Sequence, residues 1–454
     1  MAEAGLEVTP VAGKNGVGSS VQSKLLTASV LLIIFVVGLA LRWDRLQYAE
    51  FSADQAWVIN RALDFVANGD FPYAGIRSSV GTAQGPIEIY LLSIPLLIST
   101  NPVVATGFVG LLQMLAVVGT FFLTGKYYGR TAGFVAAALF AVNPWALQYS
   151  RKMWTPDMMP FFTVLFAYSL HAAVIDRKRY QAALAFLWFT VLFLIHPAAV
   201  IYGPVLLAVV VVYWRRIGWR PLLLGAVLAL IVASPYLYYE SQREFNSIAV
   251  YAGVGSAQMG ALDLEALKYV VTMASARYYP VMMGYGFRGD WLLPEIGRSN
   301  DLATWLLYLG LALCLGHLAV RLVRRRGVGW GGAEKYLILL LWFILPILAA
   351  MRHSVEFYPH YFIGVYPLQF LLIAVAVSEG GSLVNTLLRR LSFKQEWVGA
   401  VGATAIVLFI GGQQVPFFHT YVDLVERQGP LGPYGVPLLY SQKAVDTLRE
   451  LRAE

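Results

Sequence analysis

An all-α, polytopic membrane protein is the fold this sequence predicts, and three observations carry it. Only 13% of the 454 residues are charged, against roughly 25% in a soluble domain. Mean hydropathy is +0.62. Apolar runs near the roughly 20 residues that cross a bilayer recur from one end of the chain to the other.

Residues 1–24 are polar and rich in Gly, Ser and Val, which predicts a disordered cytoplasmic leader. They lack the short apolar core and small-residue cleavage site of a signal peptide, and the following span is long enough to stay as an anchor. Eleven spans are expected, at 25–43, 103–124, 132–148, 158–175, 181–196, 198–214, 220–238, 302–322, 336–351, 359–378 and 398–413. They make a transmembrane domain over 25–413, followed by a short outer tail, 414–454.

Lys and Arg set the orientation, because they concentrate in cytoplasmic loops. With the N-terminus inside, GKYYGR (125–130), DRKRY (176–180), WRRIGWR (214–220), RLVRRRGVGWGGAEK (321–335) and LLRRLSFK (387–394) all fall inside. More than half of the 34 Lys and Arg then lie inside and most of the 26 acids outside. The net charge of +8 is thereby a matter of topology, and nucleic acid is an unnecessary partner. A multi-pass protein of the cell (cytoplasmic) membrane follows, C-terminus outside.

The same bookkeeping denies PIEIYLLSIPLLIS (86–99) a full crossing, since every later loop would invert. Its Glu88, Pro95 and shortness predict an interfacial or re-entrant helix. The outer face then holds the first loop (44–102), the turn 149–157, the loop 239–301 and the tail. No repeat suggests inverted transporter halves. Cys314 is the single cysteine, which excludes an intramolecular disulfide.

The first loop concentrates acids: Asp44, Glu50, Asp54, Asp64, Asp70 and Glu88. Ser52-Ala53-Asp54-Gln55 reads as a capping box, opening an amphipathic helix that ends near Asn68-Gly69. Helical spacing puts Asp54, Trp57, Arg61 and Asp64 on one polar face, with Val58, Ile59, Ala62, Phe65 and Val66 on the other. A first-turn carboxylate is explained by the helix dipole alone. What lifts Asp54 above that is its place at the water–membrane boundary beside a tryptophan and an arginine.

Thr155-Pro156-Asp157 suits a helix start, with Thr155 as N-cap and Pro156 first, so Asp157 has a capping explanation too. Arg151 and Lys152, between Tyr149 and Trp154 on a face poor in cations, fit a phosphate clamp or helix-end snorkelling about equally. His196, Arg352, His360 and Tyr361 mark later outer turns. No HxH, HExxH or CxxC spacing supports a protein-built zinc site. A divalent cation held by scattered outer Asp and His stays open, and no other cofactor is expected.

In order and outer placement these motifs resemble the GT-C fold glycosyltransferases that use polyprenyl-phosphate sugars. The likeness is to the protein O-mannosyltransferase-like, or RgtA/B/C/D-like, branch, related to lipid A aminoarabinose transferases. The residues that carry it are Asp54-Gln55, Gly85-Pro86-Ile87-Glu88-Ile89-Tyr90, the run from Arg151 to Asp157, and His360-Tyr361 through Tyr366-Pro367. One departure is plain: the second acid of the family's Asp-Glu pair is Gln55, which removes a charge.

The resemblance implies sugar transfer from a polyprenyl-phosphate donor to a lipid, glycan or protein hydroxyl outside the membrane, with inversion. On that reading Asp54 is the general base, and Arg151, Lys152 and Arg352 stabilise the leaving phosphate. Asp157 is the second-choice catalytic acid, and Arg61, Glu88, His196, His360 and Tyr361 contact substrate. A transporter or flippase of a lipid-linked saccharide is the alternative, but it calls for charges within spans and paired broken helices. A non-catalytic scaffold, the third reading, would leave Asp54 dispensable.

Overall fold

Long apolar stretches ended by Pro, Gly, Asn and basic residues fold here into helices. The computed structural model describes residues 16–256, 262, 264–277, 279, 296–324, 332–353, 358–392, 397–429 and 435–453. Among these, pairing of extended chain is limited to two isolated bridges, Glu50 with Pro437 and Arg77 with Ala83.

In chain order the first helices are α1 (Gly16–Trp43), α2 (Ala53–Asn68), α3 (Ile87–Leu96), α4 (Pro102–Tyr128), α5 (Arg130–Val142) and α6 (Pro144–Tyr149). After them come α7 (Met159–Val174), α8 (Gln181–Ile195), α9 (Gly203–Val212), α10 (Trp214–Ile217), α11 (Trp219–Ser241), α12 (Asn246–Ser256) and α13 (Glu265–Thr272). The chain closes with α14 (Ile296–Arg324), α15 (Glu334–Ala350), α16 (Leu368–Arg390), α17 (Val398–Gln428) and α18 (Leu438–Ala453). Each expected span meets one of these helices. Seven among the described residues are long and apolar enough to cross a membrane, while α5, α8, the 197–212 segment and α15 are shorter.

The structure corrects several boundaries. Helix α1 begins at Gly16, so the expected leader is helical from there; residues 1–15 lie outside the described residues. The span drawn at 132–148 is interrupted at Asn143, whose side chain accepts from the Ala146 N–H at 3.0 Å and starts α6 with Pro144 in its first turn. Over 359–378 the first seven residues are a 3₁₀ coil, Pro359–Val365, and the helix starts only after Pro367. Proline at 359 and 367 removes two helix donors, and that is enough to leave the segment outside α16. The tail is largely helical, in the continuation of α17 and in α18.

α7, with 83% of its span buried inside the protein, is central; α11, at 6%, lies on the rim of the bundle. Close crossings rest on glycine. A Cβ on Gly133 of α5 would come within 2.9 Å of the Gly125 Cα on α4, and one on Gly310 of α14 would strike the Leu372 carbonyl of α16.

The amphipathic helix α2 packs on protein. Val58, Ile59 and Ala62 join Ile89, Leu92 and Leu96 of α3 and Ala105, Val109 and Leu112 of α4 in one buried cluster. At ten residues, α3 spans about 15 Å, half a hydrocarbon core. The polypeptide after α17 returns to the first loop. Phe51 N–H donates to Val436 O at 2.8 Å, and Leu438 N–H to Ala49 O at 2.9 Å.

Candidate functional site

The capping box sets the first acid. The Gln55 side-chain oxygen accepts from the Ser52 N–H at 2.7 Å, fixing the first turn of α2, and Gly69 ends the helix at φ 73°. Asp54 is thereby held exposed at the helix start, and Trp57 (39% exposed) lies on the same side. Arg61 and Asp64 pair with each other at 3.5 Å.

Two further carboxylates gather beneath Asp54. Glu88, in the first turn of α3, is 1% exposed and has one oxygen without a partner. Burial pushes its carboxyl up to about 8, the Asp54 charge adding to that and a hydrogen bond from Thr155 opposing it. Asp157 is fully buried, and neither of its oxygens has a hydrogen-bond partner among the described residues. It lies within electrostatic reach of Lys152, Glu50 and Glu88.

A helix does start at Thr155-Pro156-Asp157 as expected, but with Trp154 and not Thr155 at its cap, and capping does not account for the Asp157 carboxylate. Residues Thr155–Met158 form a 3₁₀ turn ahead of α7 with Trp154 at its cap. The Thr155 hydroxyl faces Glu88 instead of capping, and the Asp157 carboxylate caps nothing. Its backbone oxygen is held by Gln113 Nε2 at 2.6 Å. A buried carboxylate with two unpaired oxygens is costly, so the arrangement marks a place where a ligand or water completes the bonding.

The expected cation pair separates. Arg151 is 3% exposed and donates to backbone carbonyls where α1 ends: to Leu41 O at 3.2 Å, to Arg45 O at 3.3 Å and, in a shorter contact, to Asp44 O. It holds a helix C-terminus, the role its neighbour Arg42 also takes with Ala141 O at 2.8 Å. Lys152 turns to the acids. Its ammonium sits 2.8 Å from Glu50 Oε1 and 3.9 Å from the centre of the Trp154 ring.

From Trp154 an aromatic row continues to His360 (4.4 Å between ring centres), then to Tyr361 (4.3 Å), with His196 5.7 Å beyond. Tyr358 stacks on His360 at 5.7 Å. Burial, with His196 and Lys152 nearby, holds the His360 imidazole well below its ordinary value and so neutral. The structure thus brings Asp54, Glu88, Asp157, Lys152, His196, His360 and Tyr361 to one end of the bundle. Arg352 lies exposed past the end of α15, and no contact among the described residues joins it to this group.

Sequence reasoning missed Glu50, whose part depends on a lysine 102 residues away. It also missed a cavity of about 270 Å³ between the hairpin after α2 and the end of α11. Arg77 and Arg243 line it with Thr82, Asn246 and Ser247. Neither arginine makes an ion pair among the described residues; Arg243 lies 4.7 Å over the Tyr239 ring. Glu240, in the same wall, is already taken by the Ser247 hydroxyl at 2.8 Å. The hairpin is tied down by the Tyr236 hydroxyl on Ala83 O at 2.8 Å and runs straight into α3 and Glu88. The one available signal was the scarcity of outer cations. No group of three or more His, Cys, Asp or Glu among the described residues is arranged to hold a metal ion.

A sequence model of the dolichyl-phosphate-mannose-protein mannosyltransferase family matches residues 83–239. No curated relative matches the chain. Among solved structures, ArnT from Cupriavidus metallidurans bound to undecaprenyl phosphate is similar over 90% of this chain and 80% of its own, at 13% identity and TM-score 0.54. The Archaeoglobus fulgidus oligosaccharyltransferase, tethered to an acceptor peptide, is similar over 92% of this chain at 17% identity and TM-score 0.51. This chain spans only 56% of that enzyme. The arabinosyltransferase EmbB from Mycobacterium smegmatis is similar over 92% of this chain and 42% of its own, at 14% identity and TM-score 0.50. All three have the GT-C fold, and this chain shares it.

Proposed function

We propose that this protein is a membrane glycosyltransferase that moves a sugar from a polyprenyl-phosphate donor to an acceptor hydroxyl at the outer membrane face. One observation carries the reading: an exposed carboxylate, Asp54, stands beside two buried ones, Glu88 and Asp157, at one end of a GT-C bundle. The undecaprenyl phosphate bound to ArnT and the matched mannosyltransferase family support a lipid-phosphate carrier.

In this mechanism the acceptor oxygen attacks the anomeric carbon while Asp54 takes its proton as general base. The bond from that carbon to the phosphate oxygen breaks, and its electron pair leaves on the phosphate. Attack opposite the departing phosphate inverts the anomeric centre. Phosphate leaves readily when cations neutralise it, so no second carboxylate is needed as a strong acid.

Arg77 and Arg243 are the cations we assign to the phosphate, in place of Arg151, which is committed to carbonyls. Lys152, paired with Glu50, keeps the charge of the buried acids in check. Glu88, protonated near neutrality, donates a hydrogen bond to the sugar or acceptor, and Asp157 accepts one. The aromatic row from Trp154 to Tyr361 offers a face for the sugar ring.

The test is release of polyprenyl phosphate by the purified full chain from a panel of polyprenyl-phosphate sugars, with acceptor hydroxyls supplied as lipid, glycan or peptide. Acceptor-dependent release that Asp54→Asn removes supports the proposal. Carriage of an intact lipid-linked saccharide across a vesicle, with no transfer, overturns it in favour of a flippase.

A further inference from the structure

At the far end of α7 from Asp157 lies a cleft that the transfer chemistry does not use. Its volume is about 490 Å³. Arg177, Lys178, Arg179 and Tyr180 of the α7–α8 connection form its mouth, and Leu224 and Leu228 of α11 form an apolar wall. Those leucines belong to the helix with only 6% of its span buried inside the protein. The cleft is therefore open sideways to acyl chains and endways to water.

The charges at its mouth are not balanced. Asp176, the acid of this connection, is engaged by Lys126 and by the Tyr127 hydroxyl at 3.1 Å. The nearby Arg216 is satisfied by Glu334 at 3.2 Å. Arg177, Lys178 and Arg179 make no ion pair among the described residues, and all three are exposed. Arg177 is held in the left-handed region at φ 57°. The loop doubles back, with Lys178 N–H donating to Ala172 O at 3.1 Å.

We propose that this cleft binds an anionic phospholipid of the adjoining leaflet. The phosphate meets the three cations, and the upper acyl chain lies along Leu224 and Leu228. Snorkelling side chains at a bare helix end would need no cavity. Here the charges surround a recess with an apolar wall, which is the shape of a headgroup with its chain attached.

The experiment is native mass spectrometry of the full chain released from bilayers holding equal phosphatidylglycerol and phosphatidylcholine. Phosphatidylglycerol should be retained in preference. Replacing Arg177, Lys178 and Arg179 by Gln together should weaken it by roughly fivefold for each cation lost. Leu224→Trp keeps every charge but fills the recess, and it should also release the lipid. Arg389→Gln with Arg390→Gln, at the basic end of α16, should leave retention unchanged. Should the triple variant fail to fold, Lys178→Gln alone should still show its share of the loss. Equal retention of phosphatidylcholine would overturn the proposal. So would undiminished phosphatidylglycerol in the Leu224→Trp protein, or an equal loss in the α16 variant.

Discussion

Lys152 Nζ lies 2.8 Å from Glu50 Oε1, with the two side chains only 11% and 9% exposed. A pair this buried gains little over an apolar one, but losing one partner strands a charge. Lys152→Met should therefore cost roughly 3–5 kcal/mol, read as a lowered unfolding midpoint in detergent. The double variant with Glu50→Gln should recover much of it. A Lys152→Met protein as stable as the parent would mean that Glu50 finds water or another cation.

Asp54→Asn isolates the base. Asn and Asp serve almost equally near a helix start, so α2 should survive the change, costing about 0.3–1 kcal/mol if the acid only offsets the dipole. Loss of the proton acceptor should lower sugar transfer by roughly 10²–10⁴-fold, with donor binding largely kept. Full activity would move the base to Asp157 or Glu88.

Arg77→Gln and Arg243→Gln test the phosphate site. A hydrogen bond to a charged group is worth about 1.5–3 kcal/mol, so each change should lower kcat/KM by on the order of tenfold or more. Rising donor KM at unchanged acceptor KM is the expected pattern. The opposite split would assign the cavity to the acceptor.

Glu88 makes stability depend on pH. Its carboxyl is raised from 4.5 to about 8, first by burial, so the folded protein holds a proton that the unfolded chain gives up. Stability should therefore fall as pH rises from near 4.5 and level off above about 8. Glu88→Gln should unfold at a higher temperature than the parent at pH 8.5 and at nearly the same temperature at pH 4.5. Parallel melting curves across that range would place Glu88 in contact with water.

The orientation can be read with thiols, because Cys314 is buried. Ser79→Cys should react with an impermeant reagent on intact cells, and Arg179→Cys should be protected. The reverse pattern would set the acid group inside the cell and remove the outer-face mechanism. Gly327, in the most basic loop, lies outside the described residues, so Arg179 serves as the inner probe.

What the sequence made legible was local. The start of α2 at Ser52 and its end at Gly69 follow from neighbouring residues, and the apolar periodicity located the helices. The break at Asn143 was missed because polar Asn followed by Pro lies between two apolar runs that hydropathy merges. Arg151 and Lys152 are adjacent and chemically alike, and their partners decide their roles: one meets the end of α1, the other Glu50. Those partners lie about a hundred residues away. No periodicity encodes such contacts. The exposed fate of Arg352 was equally a matter of where α15 happens to stop.

The return of residues 435–438 to the first loop has a consequence for biosynthesis. A Cβ on Gly435 would press within 2.9 Å of the Glu50 side chain, and the backbone just after it, at Val436 and Leu438, is stitched to Phe51 and Ala49. Glu50 leaves the ribosome early, yet its seat is finished by polypeptide translated nearly four hundred residues later. Membrane insertion of the intervening helices thus precedes closure around the lysine–glutamate pair. A nascent chain stalled before α18 would carry α1 to α17 while the Glu50 segment of its first loop stayed open to proteolysis.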